Sequence, residues 1–180
     1  MRTMGIAGGA PEASILSFAA AKMAKYYGLP SRTGGLFTES FTCDVQAGYE
    51  SMMHALTAYQ SGTDMLLLAA GSSDNFMTAS YEKFMIDVEI GIMVKRYMRG
   101  IEVNQETLAL DLILEQGHGG NFTTTDHTLD NYKEELFFPK ITNRQSFEIG
   151  NINGRSSLQK AYDLYQNTIN CFANPNSEDD

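Results

Sequence analysis

Glycine and proline punctuate the stretch from Gly28 to Glu50 in an order that few folds accommodate. Gly28 closes a helix, Pro30 forbids helix at Leu29, and Ser31 to Leu36 reads as a short strand carrying the pair Gly34 and Gly35. A polar loop follows, and a new helix begins at Asp44 or Thr42, either of which can cap it. This is one βα unit, and the loop after such a strand is where α/β folds hold ligands. The bare glycines remove side chains where something approaches the backbone, either a ligand or a tight bend.

A second unit follows the first. Val45, Tyr49, Met52, Met53 and Leu56 form one apolar helical face that stops near Gly62. The run Met65 to Ala70, bounded by Asp64 and Gly71, has the unbroken apolar character of a parallel strand covered on both faces. Its loop, Gly71-Ser72-Ser73-Asp74-Asn75, is small and polar. Before these units, Pro11 and Glu12 open a helix with Ile15, Phe18, Ala19, Met23 and Tyr26 at spacings of three and four. After them, Ser80 caps a long helix carrying Phe84, Met85, Val88, Ile92 and Met93 and ending at Gly100, with Lys95, Arg96 and Arg99 in its last turns. Asn104 then caps a shorter helix through Glu115. Beyond Gly117 the pattern weakens, with helical turns expected from Asp126 to Leu136, a final amphipathic helix from Arg155 to Phe172, and a polar, acidic tail from Asn174. The fold class expected is α/β, organised as βα units over 1–116, a loop and helical extension over 117–173, and a tail over 174–180.

Composition removes several function classes. A chain of 180 residues with 43% hydrophobic content has room for one domain with its own core. A formal net charge of -9, with 13 scattered basic residues, argues against nucleic acid as a partner. No apolar run reaches membrane-spanning length, and the first residues lack the zones of an export signal, so a cytoplasmic chain with no membrane partner is expected. Cys43 and Cys171 have no zinc spacing, and His118, His127 and Asp126 match no compact metal motif, so no metal site is expected. Gly8-Gly9 lacks the context of a phosphate loop. Because a glycine-rich turn and helix begin within ten residues of Met1, the chain reads as opening in the middle of a fold.

Several motifs occur in order: Arg2-Thr3 before Gly8-Gly9-Ala10-Pro11-Glu12; Tyr27-Gly28-Leu29-Pro30-Ser31 with Gly34-Gly35; Asp44, then Gln46-Ala47-Gly48-Tyr49-Glu50; Ile86-Asp87; and Gly100-Ile101-Glu102-Val103. Together they resemble the C-terminal part of the trimethylamine methyltransferase family. The resemblance implies the closing part of a (β/α)₈ TIM barrel with additional C-terminal helices. It also implies an activity, transfer of a methyl group from a methylated amine to the Co(I) of a cobalamin carried by a separate corrinoid protein, with no cofactor bound directly. Phe37 stands where family members acting on trimethylamine carry pyrrolysine, so the chain resembles the branch without that residue, whose members demethylate quaternary amines such as glycine betaine.

Such a reaction needs a dry site, aromatic walls for the cation and a basic group for a carboxylate. No residue is assigned a catalytic role. Substrate-binding candidates are Arg2 for the carboxylate, Gly34 and Gly35 as pocket lining, Phe37 as a wall, and Thr38 and Glu39 on the loop lip. Gly71, Ser72 and Ser73 form a loop that could face the corrin. The structural alternatives are a packed Phe37, a structural ion pair for Arg2, and a solvated loop at Thr38 and Glu39. Arg32 is expected in a salt bridge to Glu12, Glu39 or Asp44, and Asp44 is expected to act as a cap. A barrel piece with open strand edges is expected to self-associate and to be inactive alone. Two alternatives stand beside this: a non-catalytic assembly subunit, and a phosphate-binding barrel enzyme using Gly34, Gly35 and the Gly71 loop.

Overall fold

The computed structural model describes residues 7–144, 146 and 154–173. The described residues form two compact units, one comprising residues up to Met98 together with those from Pro139 onward, the other Arg99–Phe138.

In the first unit, α1 (Pro11–Tyr26) starts with proline in its first turn and Glu12 against the helix dipole. It ends in a Schellman motif: Gly28 adopts φ +67°, its N–H reaches the Lys25 carbonyl, and the Leu29 N–H reaches that of Ala24. Strand β1 (Arg32–Gly34) pairs in parallel with β2 (Met65–Leu67), in the register Arg32 to Met65, Thr33 to Leu66 and Gly34 to Leu67. Helix α2 (Val45–Ser61) connects them, capped by Asp44, whose carboxylate accepts from the Ala47 N–H, and closed by left-handed Gly62. At the start of the strands, the Asp64 carboxylate accepts from the Ser31 N–H at 2.8 Å and the Ser31 hydroxyl at 3.1 Å. The mixed α/β character is therefore present, as one βαβ unit.

After β2, Ser72–Ser73 (β3) pairs antiparallel with Thr78–Ala79 (β4) around a single 3₁₀ turn, Asp74–Phe76. Helix α3 (Tyr81–Arg99) follows, its first turn bound by the Ser80 hydroxyl, which accepts from the Lys83 N–H. The core gathers Leu36, Ala55, Ile90 and Val94, with Met52, Leu56 and Ile86 packed against it. Late in the chain, Glu89 of α3 accepts hydrogen bonds from the N–H groups of Lys140, Ile141 and Thr142 and from the Thr142 hydroxyl. The last helix of this unit, α7, runs Ser157–Ala173.

The second unit holds α4 (Gln105–Leu108), α5 (Leu110–Gln116) and α6 (Asp126–Glu135). Asn104 and Thr107 form a reciprocal capping box on α4, and the Thr125 hydroxyl caps α6.

Four expectations need correction. The buried stripe of α2 is Ala47, Glu50, Ser51, His54, Ala55, Ala58 and Ser61, whereas Val45 is 83% exposed and Tyr49 faces outward. Small side chains let α1 and β1 approach α2 closely, and the polar ones are buried because partners satisfy them. In α1 the buried positions are Ser14 and Ala21, while Ile15, Met23 and Tyr26 are exposed. The apolar run from Met65 is a strand only to Leu67, because Leu68 turns to φ +52°, and Met65 is 58% exposed rather than covered. The expected helix from Asn104 to Glu115 breaks at Ala109, which sits in the left-handed region at φ +47°.

Candidate functional site

The chain leaves β1 through two glycines that are needed for different reasons. The ring of Phe37 folds over Gly34, so that a Cβ there would sit inside the ring atoms Cε2 and Cζ. At Gly35 the obstacle is backbone: a Cβ would meet the Leu68 carbonyl and come within 2.6 Å of the Ala69 Cα. The Gly35 N–H extends the parallel ladder by donating to the Leu67 carbonyl at 2.7 Å. Phe37, half-buried, meets Phe76 edge to face with ring centroids 4.4 Å apart, and lies 5.5 Å from the His54 ring. Phe76 stands on the turn where Asp74, Asn75 and Phe76 all have positive φ, a strained backbone of the kind that clusters at functional sites.

A polar scaffold fixes this end of the strand. Glu50 of α2 accepts from the Thr38 hydroxyl at 2.7 Å and the Glu39 N–H at 2.8 Å, while its other oxygen accepts from Gln46. The Thr38 hydroxyl in turn accepts from the Ser40 N–H. The turn docks on the same loop, with the Asp74 N–H donating to the Ser40 carbonyl and the Asn75 N–H to that of Thr38. Gly9 lets the chain pass over Glu50, since a Cβ there would lie 2.5 Å from Glu50 Oε2, and a Cβ on Gly8 would lie 2.5 Å from Asn75 Oδ1.

Three buried polar atoms around this cluster make no hydrogen bond: Glu39 Oε1, Asn75 Oδ1 and His54 Nε2. The other His54 nitrogen, Nδ1, lies 3.0 Å from the Ser14 hydroxyl. Burial lowers the His54 pKa below its ordinary value, with the Gly8 and Gly9 backbone and the Glu50 charge acting weakly the other way. The ring is therefore held neutral. The result is a strand end with two aromatic rings, Phe37 half-buried and Phe76 44% exposed, and with a buried carboxylate oxygen and a buried amide oxygen lacking hydrogen-bond partners. Such a set suits an organic cation.

A second buried network lies behind it. Lys83 and Asp87, one turn apart on α3, form an ion pair at 2.6 Å. Lys83 Nζ also donates to the Ser51 hydroxyl and the Leu36 carbonyl, and Asp87 Oδ2 accepts from the Gly71 N–H. Burial pushes the Asp87 carboxyl above its ordinary value, opposed by the Lys83 charge. Beside this network a cavity of about 480 Å³ is walled by Leu36, Tyr59, Leu66, Phe84 and Ile92, an apolar lining with Asp87 and Lys95 as its charged members. Burial also raises the thiol of Cys43, which does not favour a nucleophilic thiolate.

The expected site residues divide accordingly. Arg2 lies outside the described residues. Gly34, Gly35, Phe37, Thr38 and Glu39 come together at the end of β1. Thr38 is not on an exposed lip, however: it is 1% exposed and spends its hydroxyl on Glu50. Gly71, Ser72 and Ser73 are buried at the base of the β3–β4 hairpin, with Gly71 tied to Asp87. Arg32 is exposed and makes no salt bridge to Glu12, Glu39 or Asp44. Sequence reasoning did not assign roles to Glu50, His54, Asn75, Phe76, Lys83 or Asp87. Four of these form two i,i+4 polar pairs, Glu50 with His54 and Lys83 with Asp87, and that spacing on an otherwise buried helical stripe was the available signal.

Over residues 1–180 the chain matches the family described as trimethylamine methyltransferase (MTTB). A glycine betaine methyltransferase of Desulfitobacterium hafniense (strain Y51) is 37% identical over 175 residues, covering 97% of this chain and 36% of that protein. A proline betaine:corrinoid methyltransferase of Eubacterium limosum is 35% identical, covering 88% of this chain and 34% of that protein. The trimethylamine methyltransferase MttB of Methanosarcina barkeri (strain Fusaro / DSM 804) is 41% identical over 120 residues, 67% of this chain and 24% of that protein. The chain thus spans about a third or less of the length of these relatives. It belongs to the trimethylamine methyltransferase family.

Proposed function

With membership of that family as the premise, we propose that this chain contributes the quaternary-ammonium end of a methyltransferase site, moving a methyl group from a small quaternary amine to a corrinoid protein. The paired strands and their helices are read as the closing βα units of a (β/α)₈ barrel, with the end of β1 on its rim. The observation that carries this is the edge-to-face Phe37–Phe76 contact together with a buried Glu39 Oε1, two residues further along the same loop, that has no hydrogen-bond partner. A permanent cation is what two ring edges and faces and a buried carboxylate oxygen favour together.

Chemically the transfer is an in-line displacement. The bond from nitrogen to one methyl breaks, its electron pair stays on nitrogen, and the neutral tertiary amine leaves. The acceptor is the Co(I) of cobalamin supplied by the partner corrinoid protein, which enters as a co-substrate. No proton is required, which agrees with a site whose histidine is held neutral by burial. The residues here orient and dehydrate the ammonium group: Phe37 and Phe76 by contact, Glu39 by charge, and Thr38 with Glu50 by fixing the loop. Arg2 remains our candidate for a substrate carboxylate, and Gly71, Ser72 and Ser73 for the corrin-facing side. The phosphate-binding alternative is disfavoured by chemistry, since Glu39 and Glu50 line this end and Lys83 is committed to Asp87.

The open edge of the two-stranded sheet and exposed Met65, Leu67 and Val45 favour a second reading, a subunit that works by self-association or by pairing with a complementary chain. Calorimetric titration with tetramethylammonium, glycine betaine and phosphate, followed by methyl transfer to a corrinoid protein, separates these readings. Binding of both ammonium ions that phosphate does not displace supports the ammonium site. Binding of phosphate alone would refute it, and ammonium binding without transfer would favour the subunit reading.

A further inference from the structure

Lys83 and Asp87 are 1% exposed each, and the hydrogen bonds of their side chains go to Leu36, Ser51, Gly71 and each other. Burying an ion pair is a poor route to stability, because the desolvation of both charges offsets their attraction and an apolar pair of similar volume often serves as well. What this pair gains is hydrogen bonds to two particular backbone groups. Lys83 Nζ holds the Leu36 carbonyl at 3.3 Å, and Asp87 Oδ2 holds the Gly71 N–H at 2.8 Å. Leu36 is the residue before Phe37. Gly71 opens the hairpin whose turn carries Phe76, and its φ of +84° sets the direction in which that hairpin leaves β2. The two groups therefore stand at the roots of the two segments that meet at the 4.4 Å ring contact.

We propose that Lys83 and Asp87 are a positioning pair that sets the gap between Phe37 and Phe76 by clamping the Leu36 carbonyl and the Gly71 N–H to one helix. The Ser51 hydroxyl, 2.8 Å from Lys83 Nζ, brings α2 into the same clamp and so orients Glu50, the residue before it, and His54, three residues further along that helix. The clamp is charged because a single cation can donate to a carbonyl, a hydroxyl and a carboxylate at once, and a single carboxylate oxygen can accept from both the ammonium group and an N–H. Its functional consequence rests on the reading of the corner as an ammonium site; its geometry does not.

The test uses the whole chain with ring-labelled phenylalanine. Ring-to-ring nuclear Overhauser contacts between Phe37 and Phe76 report the gap, tetramethylammonium titration reports affinity, and circular dichroism reports folding. K83M/D87L removes both charges together, leaves the Gly71 N–H without its partner and leaves the Leu36 carbonyl only the Ser51 hydroxyl, at 3.4 Å. The expected result is a folded chain that has lost or rearranged the ring contact and binds tetramethylammonium roughly 2- to 5-fold more weakly, the effect of a misplaced wall. K83Q/D87N, which can still donate to Leu36 and accept from Gly71, is expected to restore both. A folded K83M/D87L with the native ring contact overturns the proposal, and so does its failure to fold, which would make the pair a requirement of the fold instead. If the unaltered chain shows the ring contact but binds no ammonium, the functional reading of the corner fails and the positioning role is decided by the ring contact alone.

Discussion

The ring of Phe37 lies over the bare α-carbon of Gly34, three residues earlier on the same strand end, and occupies the space a side chain at that position would need. Gly35, next in the chain, faces the Leu68 and Ala69 backbone instead. The two glycines should therefore respond differently to the same substitution. In Gly34→Ala the obstacle is a side chain that can swing away, so the chain stays folded and Phe37 leaves its contact with Phe76. In Gly35→Ala the obstacle is main chain across the parallel ladder, and overpacking costs about 1–3 kcal/mol of stability. Urea unfolding midpoints together with the Phe37 ring shifts decide the matter. Equal destabilisation by both substitutions would mean that the ring is as fixed as the backbone.

Phe37→Ala tests the ammonium site directly. Losing one aromatic wall from a partly exposed cation site removes about 0.5–1 kcal/mol, or roughly 2- to 5-fold in affinity for tetramethylammonium. Glu39→Gln, which keeps the N–H to Glu50 but removes the charge of an unpartnered oxygen, should weaken tetramethylammonium and spare a neutral isostere such as tert-butanol. If neither substitution changes the titration, the cation binds elsewhere.

Glu89 anchors the segment Lys140, Ile141 and Thr142 through four hydrogen bonds. Although burial raises its pKa, the Thr142 hydroxyl and the N–H groups of Ile141, Thr142 and Lys140 outweigh that and hold it below its ordinary value. Glu89→Ala should release amide exchange at Lys140, Ile141 and Thr142 while leaving that of β1 and β2 protected. Because the folded pKa is depressed, the stabilisation is present above the unfolded carboxyl value, near 4.3, and lost as pH falls through the folded one. Unchanged exchange at those three amides in the variant would show that apolar contacts around Ile141 anchor the segment.

What the sequence made legible was local grammar. Pro11, Gly28, Asp44, Gly62, Ser80 and Asn104 each act through their own backbone or nearest turn, so their roles as starts, caps and stops could be read without knowing the fold. The glycine pair and Phe37 could be placed together for the same reason. The buried polar residues could not. Glu50, His54, Lys83 and Asp87 break the hydrophobic pattern on which helix faces are read, and they are tolerated only because distant groups satisfy them: Thr38 for Glu50, Ser14 for His54, Leu36 and Gly71 for the pair. The break at Ala109 was equally hidden, since nothing in an alanine announces a left-handed conformation.

His54 supplies the pH dependence of the site. Burial is the leading cause of its lowered pKa, so the folded chain holds the ring neutral at pH values where the unfolded chain has begun to protonate it. Above the unfolded value, near 6.5, both states carry the same charge at this residue and it contributes no slope. As pH falls below that value the unfolded state binds the extra proton, and stability declines by at most about 1.4 kcal/mol per pH unit until the folded pKa is passed. The depressed carboxyl groups of Asp44, Asp64 and Glu89 titrate below this window, whereas the Asp87 carboxyl, pushed up by burial, moves toward it. Protonation of the folded chain would place a cation 5.5 Å from Phe37, against the ring that is read as the ammonium wall, so tetramethylammonium affinity should hold through the interval of declining stability and fall only as pH passes the folded imidazole pKa below it. His54→Gln keeps a polar side chain that can bond Ser14 and cannot titrate. Thermal melts at pH 7.5, 6.5, 5.5 and 5.0, values chosen to bracket roughly the free imidazole pKa, should show a decline in the unaltered chain and a flatter response in the variant, while the titrations separate from the melts by declining only at the lower end. A variant that declines as steeply would assign the pH dependence to another group, first the Asp87 carboxyl that burial pushes above its ordinary value.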